Sequence, residues 1–201
     1  MSIKIYVEGG GNQRITLTKC REGFATYCAK LAPARKLPSI IACGSRDEAF
    51  RKFKIAVQDC GADEKCVLLV DSEGKVNQGT IFDHLRIRDR WEFPDVQNHK
   101  VFLMVQVMES WFLADRDLLA EYYDGGFLAG ALPRSASNIE IIRKEDIVSG
   151  LARATRNAKT KGEYHKTKHG FDLLARIDST KVEKASSHAA SFHQFLREQL
   201  S

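Results

Sequence analysis

Three apolar runs of the sequence each end in an acidic residue, an arrangement that could bind a metal ion. The acids are Glu8 after residues 4–7, Asp71 after residues 66–70, and Glu109 after residues 101–108. Short apolar runs indicate buried parallel strands, and ligands of open α/β sheets bind beyond the carboxyl ends of such strands. A buried carboxylate needs a counter-charge, and Mg²⁺ or Mn²⁺ prefers oxygen ligands. We therefore predict a divalent cation held by these acids; each acid taken alone could instead cap a following helix.

A second acid follows Asp71 at a spacing of two residues. In an extended backbone, residues two apart point in the same direction, so Glu73 and Asp71 can face one cation. The alternative is an ordinary solvated turn, because Gly74 follows at once. We predict that Glu73 is a further ligand of the same cation.

Glycines follow Glu8 directly. Gly9, Gly10 and Gly11 leave room for a phosphate to approach the backbone, and together with Asn12 they form a predicted phosphate approach loop. The alternative is a turn that needs positive φ. The segment does not match the dinucleotide fingerprint and lacks the lysine and hydroxyl of a P-loop, so neither a dinucleotide nor ATP is expected here.

The C-terminal half contains a basic segment with a single acid, Glu163. Its cations, which suit a nucleic-acid backbone, are Arg153, Arg156, Lys159, Lys161, Lys166 and Lys168. The alternative is a solvated helix face. His165 and His169 lie four residues apart, as a metal-binding pair on a helix would, but no glutamate follows the first histidine, so zinc-hydrolase chemistry is not favoured.

The elements that must position these residues alternate between strand and helix. Four strands are predicted, at residues 4–7, 38–43, 66–70 and 101–108, with intervening helices, one of them capped by Ser45 and the first reaching Pro33. Asn98 is expected to interrupt the chain before the fourth strand. This pattern indicates an α/β fold with a mostly parallel four-stranded sheet flanked by helices, followed by a helical C-terminal extension.

Beyond Glu109 the pattern is helical. Asp115 is expected to cap a helix that carries Leu118 and Leu119, and Trp111 is expected to lie in the core rather than to stack on a base. We divide the chain into an α/β core over residues 1–124 and a basic helical region over residues 125–201 that packs on the same domain.

Composition narrows the class of protein. The chain has 201 residues, of which 43% are hydrophobic, and a net charge of +5, which is compatible with nucleic-acid binding without requiring it. The N-terminal residues lack a signal-peptide pattern and no apolar stretch is long enough to span a membrane, so a soluble cytoplasmic protein is expected. The five cysteines form no CxxC pair, so neither a disulfide framework nor a zinc site is predicted, and Cys28 and Cys43 are expected in the core.

Taken together, the motifs resemble a known fold and a known family. The glycines after Glu8 and the acid pair at Asp71 and Glu73 resemble the TOPRIM fold of topoisomerases, bacterial primases and overcoming-lysogenization-defect nucleases. Nearly the full length is similar to a TOPRIM-like bacterial family, domain of unknown function 4276. The matching stretches are residues 6–11, 69–73, 103–115 and 164–170.

This resemblance implies a Mg²⁺- or Mn²⁺-dependent nuclease. Glu8 would be a metal ligand or general base, Asp71 and Glu73 would hold the cation, and Lys166 or Lys168 would be a catalytic or phosphate-clamping cation. It also implies DNA or RNA as the substrate and an ATPase partner of the ABC or AAA type in anti-phage defence.

Two alternatives stay open. Asn12 stands where the family pattern has an acid, which suggests a single metal or a degenerate subunit that binds nucleic acid without cleaving it. A phosphotransferase or a nuclease for small cyclic nucleotides would use the same acids.

Overall fold

The computed structural model describes residues 2–31, 37–76, 79–94, 99–134 and 136–200, and Pro33 and Asn98 lie outside these ranges. The strands are β1 (Ser2–Val7), β2 (Ser39–Ala42), β3 (Glu64–Asp71) and β4 (His99–Met104). The longer helices are α1 (Arg14–Ala29), α2 (Arg46–Asp59), α3 (Ile81–Asp89), α4 (Arg116–Tyr123), α5 (Lys144–Thr155), α6 (Phe171–Arg176), α7 (Ser179–Ala185) and α8 (Ser187–Leu200). Three short 3₁₀ segments (Met108–Ala114, Ala129–Ala131 and Ile139–Ile141) and a π-helical turn (Lys166–Gly170) complete the described elements.

The four strands form one sheet that is parallel throughout, in the order β2-β1-β3-β4. In the register, Tyr6 of β1 lies between Ile41 of β2 and Leu68 of β3. The predicted α/β class is confirmed, and the architecture is consistent with a Rossmann-like fold.

Helices cover both faces of the sheet. Phe24 and Tyr27 of α1 belong to one buried cluster, whereas Phe53 of α2 and Leu85 of α3 belong to the cluster on the other face. The connection from β1 to β2 runs towards one edge of the sheet, and the connection from β3 to β4 runs towards the other edge. Right-handed crossovers that run in opposite directions place their helices on opposite faces of the sheet. The change of direction between β1 and β3 makes their carboxyl ends the topological switch point, where open α/β sheets bind ligands.

The C-terminal helices pack on the α1 side of the sheet. Leu151 of α5, Leu174 of α6 and Phe192 of α8 are fully buried in the same cluster as α1, and the ring of Phe192 lies 5.3 Å from that of Phe102 on β4. The proposed division at residue 124 stays a prediction. Within the part of the chain that the structure describes, no helix combines the length and apolar character needed to cross a membrane.

The fourth strand is shorter than predicted. It ends at Met104, where its partner β3 ends at Asp71, so the apolar residues up to Met108 have no neighbouring strand to pair with. The chain instead turns into a 3₁₀ segment that begins at Met108, and the Ser110 hydroxyl accepts hydrogen bonds from the backbone N–H groups just before it. The prediction of a strand through residue 108 was therefore wrong, because the length of the sheet edge set the boundary.

Of the two predicted helix caps, the one at Ser45 is confirmed and the one at Asp115 is not. Ser45 caps α2 as expected, accepting a hydrogen bond from Glu48 N at 3.2 Å. Asp115 precedes α4 at the N-cap position, but its carboxylate caps no backbone N–H of α4 and accepts instead from Asp178 N and from Lys181 Nζ. The side-chain role predicted for Asp115 was wrong, because a distant segment supplies stronger donors than its own helix.

Candidate metal centre

Three acids converge at the switch point. Glu8 follows β1, Asp71 is the last residue of β3, and Glu73 lies two residues further on. One carboxylate oxygen from each lies within 4.8 Å of the others. Mg²⁺ takes oxygens at about 2.1 Å, so two ligands on opposite sides of it lie about 4.2 Å apart. Three oxygens within 4.8 Å of one another are therefore near enough to bind one small cation together.

Asp71 is the most enclosed of these acids. Its side chain is 1% exposed, and Met108 N donates to Oδ1 at 2.7 Å. Burial raises the pKa of Asp71 to about 7, and the nearby carboxylates of Glu8 and Glu109 add to the rise while Lys166 opposes it. Burial likewise raises the pKa of Glu8. A divalent cation would reverse this balance, because it favours the charged form of both acids.

Glu109 lies next to this group without joining it. Tyr164 Oη donates to Glu109 Oε1 at 2.9 Å, which fixes the carboxylate in the interior. Among the described residues, Glu109 Oε2 is buried and has no hydrogen-bond partner, although Lys166 Nζ lies 3.5 Å away. Glu109 is not part of the set of oxygens within 4.8 Å of one another. Its predicted role as a ligand stays a prediction, and its unsatisfied oxygen faces the lysine.

Lys166 joins the two carboxylates. Its Nζ lies 3.2 Å from Asp71 Oδ2 and 3.5 Å from Glu109 Oε2. Burial would lower the pKa of Lys166, but the carboxylates of Asp71, Glu109 and Glu8 outweigh it and hold the pKa above its usual value. The lysine is therefore a fixed positive charge at the edge of the acid group.

The glycine loop takes the backbone past Glu8. Gly9, Gly10 and Gly11 have φ values of 129°, 85° and 57°, a region that favours glycine. A Cβ on Gly10 would lie 2.9 Å from Thr16 O at the start of α1, so only glycine fits there without a shift. Asn12 is exposed. The loop turns the chain tightly into α1, and its role as a phosphate approach loop stays a prediction.

Most of the basic segment lies away from the acids. Arg153, Arg156 and Lys159 are exposed, and no hydrogen bond or ion pair within the described ranges joins them to the acid group. Lys168, the other catalytic candidate, is also exposed, and its Nζ donates to Lys161 O at 3.2 Å. The structure thus separates Lys166, which faces the acids, from the other predicted cations.

The two histidines are not arranged as a metal-binding pair on an α-helix would be. His169 is 2% exposed, and its Nδ1 accepts a hydrogen bond from His165 N at 3.0 Å. That nitrogen is consequently occupied. The turn between the two residues is π-helical, so their spacing of four does not place them as it would on an α-helix.

Arg46 is a functional candidate that the sequence patterns did not indicate. Its Nη1 donates to Glu8 Oε2 at 3.1 Å and to the carbonyl oxygen of Asp71. Arg46 Nε and Nη2 donate hydrogen bonds to the Asp89 carboxylate at 3.0 and 2.7 Å. The guanidinium lies 4.8 Å from the centre of the Trp91 ring. Arg46 is the first residue of α2 and directly follows the Ser45 cap. The start of this helix therefore positions the guanidinium at the acids.

Two further cations contact Glu73. Lys144, the first residue of α5, is ion-paired with Glu73 Oε2, and Arg88 Nη2 lies 3.7 Å from the same oxygen. Glu73 has a φ of 62°, and its N–H donates to Gln106 O at 2.7 Å. The spacing of residues within one strand or helix does not predict these contacts, because Arg88 lies on α3 and Lys144 lies on α5.

Comparison with known proteins gives one match. Residues 7–197 match the family described as Domain of unknown function (DUF4276). No curated protein and no solved structure is similar enough to match. Since the matched range covers nearly the whole chain, the protein belongs to this family.

Proposed function

We propose that this protein is a Mg²⁺- or Mn²⁺-dependent nuclease that hydrolyses phosphodiester bonds in DNA or RNA. The observation that carries the proposal is the convergence of the Glu8, Asp71 and Glu73 carboxylates within 4.8 Å at the switch point of the sheet. Hard oxygen donors at this spacing fit a small divalent cation. When bound, such a cation neutralises phosphoryl oxygens and makes a nearby water more acidic.

The surrounding side chains have roles in this proposal. Lys166, between Asp71 and Glu109, would neutralise charge that develops on the phosphate. Arg46 would hold Glu8 in position, because Asp89 and Trp91 fix its guanidinium. The exposed cations of the basic segment and Lys168 would bind the nucleic-acid backbone.

The proposed setting follows the family resemblance. We place the protein in the cytoplasm, acting with an ATPase of the ABC or AAA type in anti-phage defence. The chain carries no P-loop sequence, so any ATP-driven step would come from that partner.

A second candidate is a subunit that binds nucleic acid without cleaving it. The observation that favours it is the pairing of the acids: Glu8 with Arg46, Asp71 with Lys166, and Glu73 with Lys144. Such pairs satisfy the carboxylates without a metal. A cation would have to compete with them for the carboxylate oxygens.

The test is cleavage of plasmid DNA, single-stranded DNA and RNA with Mg²⁺ or Mn²⁺, with and without an added ATPase of the ABC or AAA type. The variants are Glu8→Gln, Asp71→Asn and Glu73→Gln, with Glu48→Gln as the control because Glu48 is a half-buried acid of α2 that pairs with Arg51 and not with the acid group. Metal-dependent cleavage that the three site variants lose and the control keeps would support the nuclease. Binding without cleavage under every condition would favour the second candidate.

A further inference from the structure

A second group of ligand atoms lies at the opposite end of β3 from the acids. Cys60, Glu64 and Cys66 each offer one atom, and the three atoms lie within 4.8 Å of one another. Cys60 is the C-cap residue of α2, and Glu64 begins β3. This cluster shares no residue with the proposed nuclease site.

Local structure explains why the three side chains meet. Glu64 and Cys66 are two residues apart on one strand, so they point to the same face of the sheet. The turn before β3 is closed by a hydrogen bond from Glu64 N to Gly61 O at 3.1 Å. It folds Cys60 back onto the strand, where its Sγ donates to Glu64 O at 3.0 Å.

The donor set favours a thiophilic cation. Thiolates select Zn²⁺ over Mg²⁺, and a carboxylate can complete a zinc site with nitrogen or sulfur ligands. The cluster lies at the C-terminal end of α2, where the exposed carbonyl groups favour positive charge. Cys66 is fully buried, whereas Cys60 and Glu64 are half-buried and leave an entry path.

We propose that Cys60, Glu64 and Cys66 form a binding site for one Zn²⁺ ion. Lys4 is the competing cation, because its Nζ lies 2.7 Å from Glu64 Oε1. The carboxylate has a second oxygen, and Lys4 is exposed enough to move aside. The fourth position of a tetrahedral ion would be taken by water or by a further side chain.

The cysteine spacing did not predict this site, because zinc motifs are recognised by paired CxxC units. Here the ligands are separated by four residues and then by two, and they come from a helix end and a strand. Only the turn at Gly61 brings them together.

Titration of the reduced full-length chain with Co²⁺ tests the proposal. Co²⁺ in a tetrahedral site with thiolates gives intense visible bands and a near-ultraviolet sulfur-to-cobalt transition, which a site made only of oxygens cannot give. We expect these bands to saturate at one equivalent and to disappear when Zn²⁺ is added. Absence of a sulfur-to-cobalt band in the wild type would overturn the proposal.

Substitution of each proposed ligand tests where the ion binds. Cys60→Ser and Cys66→Ser should each weaken Co²⁺ binding at least tenfold, and Glu64→Gln should weaken it while keeping the sulfur band. Cys43→Ser is the matched control, since Cys43 is a buried thiol on the same face of the sheet and outside the cluster. Because Cys66→Ser alters the core, the half-buried Cys60 provides the variant least prone to unfold. Bands unchanged in Cys60→Ser would contradict the site.

Two controls separate this proposal from its alternatives. Asp71→Asn should leave the sulfur-to-cobalt band unchanged, so failure of the nuclease proposal and failure of this one give different results. Mass spectrometry after mild oxidation gives the other control. If the wild type binds no Co²⁺ but loses two mass units through a Cys60–Cys66 disulfide, the pair is a redox pair and the zinc site is excluded.

Discussion

Lys166 Nζ lies 3.2 Å from Asp71 Oδ2, although the two residues are 95 positions apart in the chain. The π-helical turn that begins at Lys166 brings the lysine from the C-terminal half to the carboxyl end of β3. Because Asp71 is 1% exposed, this ammonium group is its principal counter-charge in the absence of a metal. The candidate site therefore needs both halves of the chain.

Lys166 and Lys168 should differ sharply in their effect on cleavage. Lys166→Met removes the only cation that contacts both Asp71 and Glu109 among the described residues, so we expect the cleavage rate to fall about 100-fold or more. Lys168→Met removes an exposed charge and should weaken substrate binding only a few-fold. The measurement is single-turnover cleavage at saturating protein. Equal losses in the two variants would contradict the assignment of Lys166 to the site.

Asp71→Asn should stabilise the metal-free protein at high pH. The unfolded carboxyl loses its proton near 3.8, but the folded one holds it up to about 7, so the folded state loses stability as the pH rises through this window. At pH 8 the variant should be more stable than the wild type by on the order of 2 kcal/mol. This gain is smaller than the free energy that corresponds to the whole rise in the Asp71 pKa, because Lys166 loses its partner in the variant.

Urea denaturation at pH 4 and pH 8 in the presence of EDTA measures this difference. The gain should be small at pH 4, where the wild-type carboxyl is largely protonated in the folded state. Asp63→Asn, a change at an exposed loop position, is the control and should be near neutral at both values. A loss of stability in Asp71→Asn at pH 8 would show that the ion pair with Lys166 outweighs the cost of burial.

His193 should make the fold sensitive to acid. Its side chain is fully buried, with Tyr27 Oη 2.8 Å from Nε2, and burial lowers its pKa to about 4 although Glu183 opposes the shift. The unfolded state takes up the proton near 6.5 while the folded state does not, so stability is present above 6.5 and lost as the pH falls towards 4. The expected loss is about 3 kcal/mol.

His193→Gln isolates this contribution. The variant should be less stable than the wild type at pH 7, because Tyr27 and Glu183 lose a partner, but its stability should fall less between pH 6.5 and 4. His165→Gln is the control, since His165 is exposed. Parallel pH profiles for His193→Gln and the wild type would rule out the neutral buried histidine.

Glu140 should anchor α8. Its carboxylate accepts from Ser186 Oγ at 2.6 Å and from His188 N at 3.0 Å. Burial would raise its pKa, but hydrogen bonds from His188 and Ser186 lower it to about 2. Glu140→Gln should cost about 2–4 kcal/mol at pH 7, whereas Glu145→Gln on the exposed face of α5 should cost little. Chemical denaturation of both variants measures the contrast, and equal small effects would contradict an anchoring role.

The sheet was predictable because β1 and β3 each contain a short apolar run, residues 5–7 and 66–70, that is followed directly by an acid. Such runs mark strands buried on both faces, and the alternation with helices implies parallel pairing. The end of β4 was not predictable in this way. The apolar run continues to Met108, but pairing stops at Met104 because β3 offers no further partner.

The acids were predictable and their cations largely were not. Glu8 follows β1 and Asp71 ends β3, so topology alone brings them to one edge of the sheet. The cations reach the same edge from three helices: Arg46 from the first turn of α2, Arg88 from α3, and Lys144 from the first turn of α5. Which face of a helix meets the sheet depends on tertiary packing, so the sequence carries no local signal for these contacts.

Binding of Mn²⁺ by isothermal titration calorimetry is the most direct test of the metal centre. We expect one Mn²⁺ site per wild-type chain at pH 8, lost in Asp71→Asn, weakened at least tenfold in Glu8→Gln and Glu73→Gln, and kept in Glu48→Gln. The hard Mn²⁺ ion binds thiols weakly, so the cysteine cluster should not contribute. Absence of Mn²⁺ binding to the wild type, or binding unchanged in Asp71→Asn, would contradict a metal centre formed by Glu8, Asp71 and Glu73.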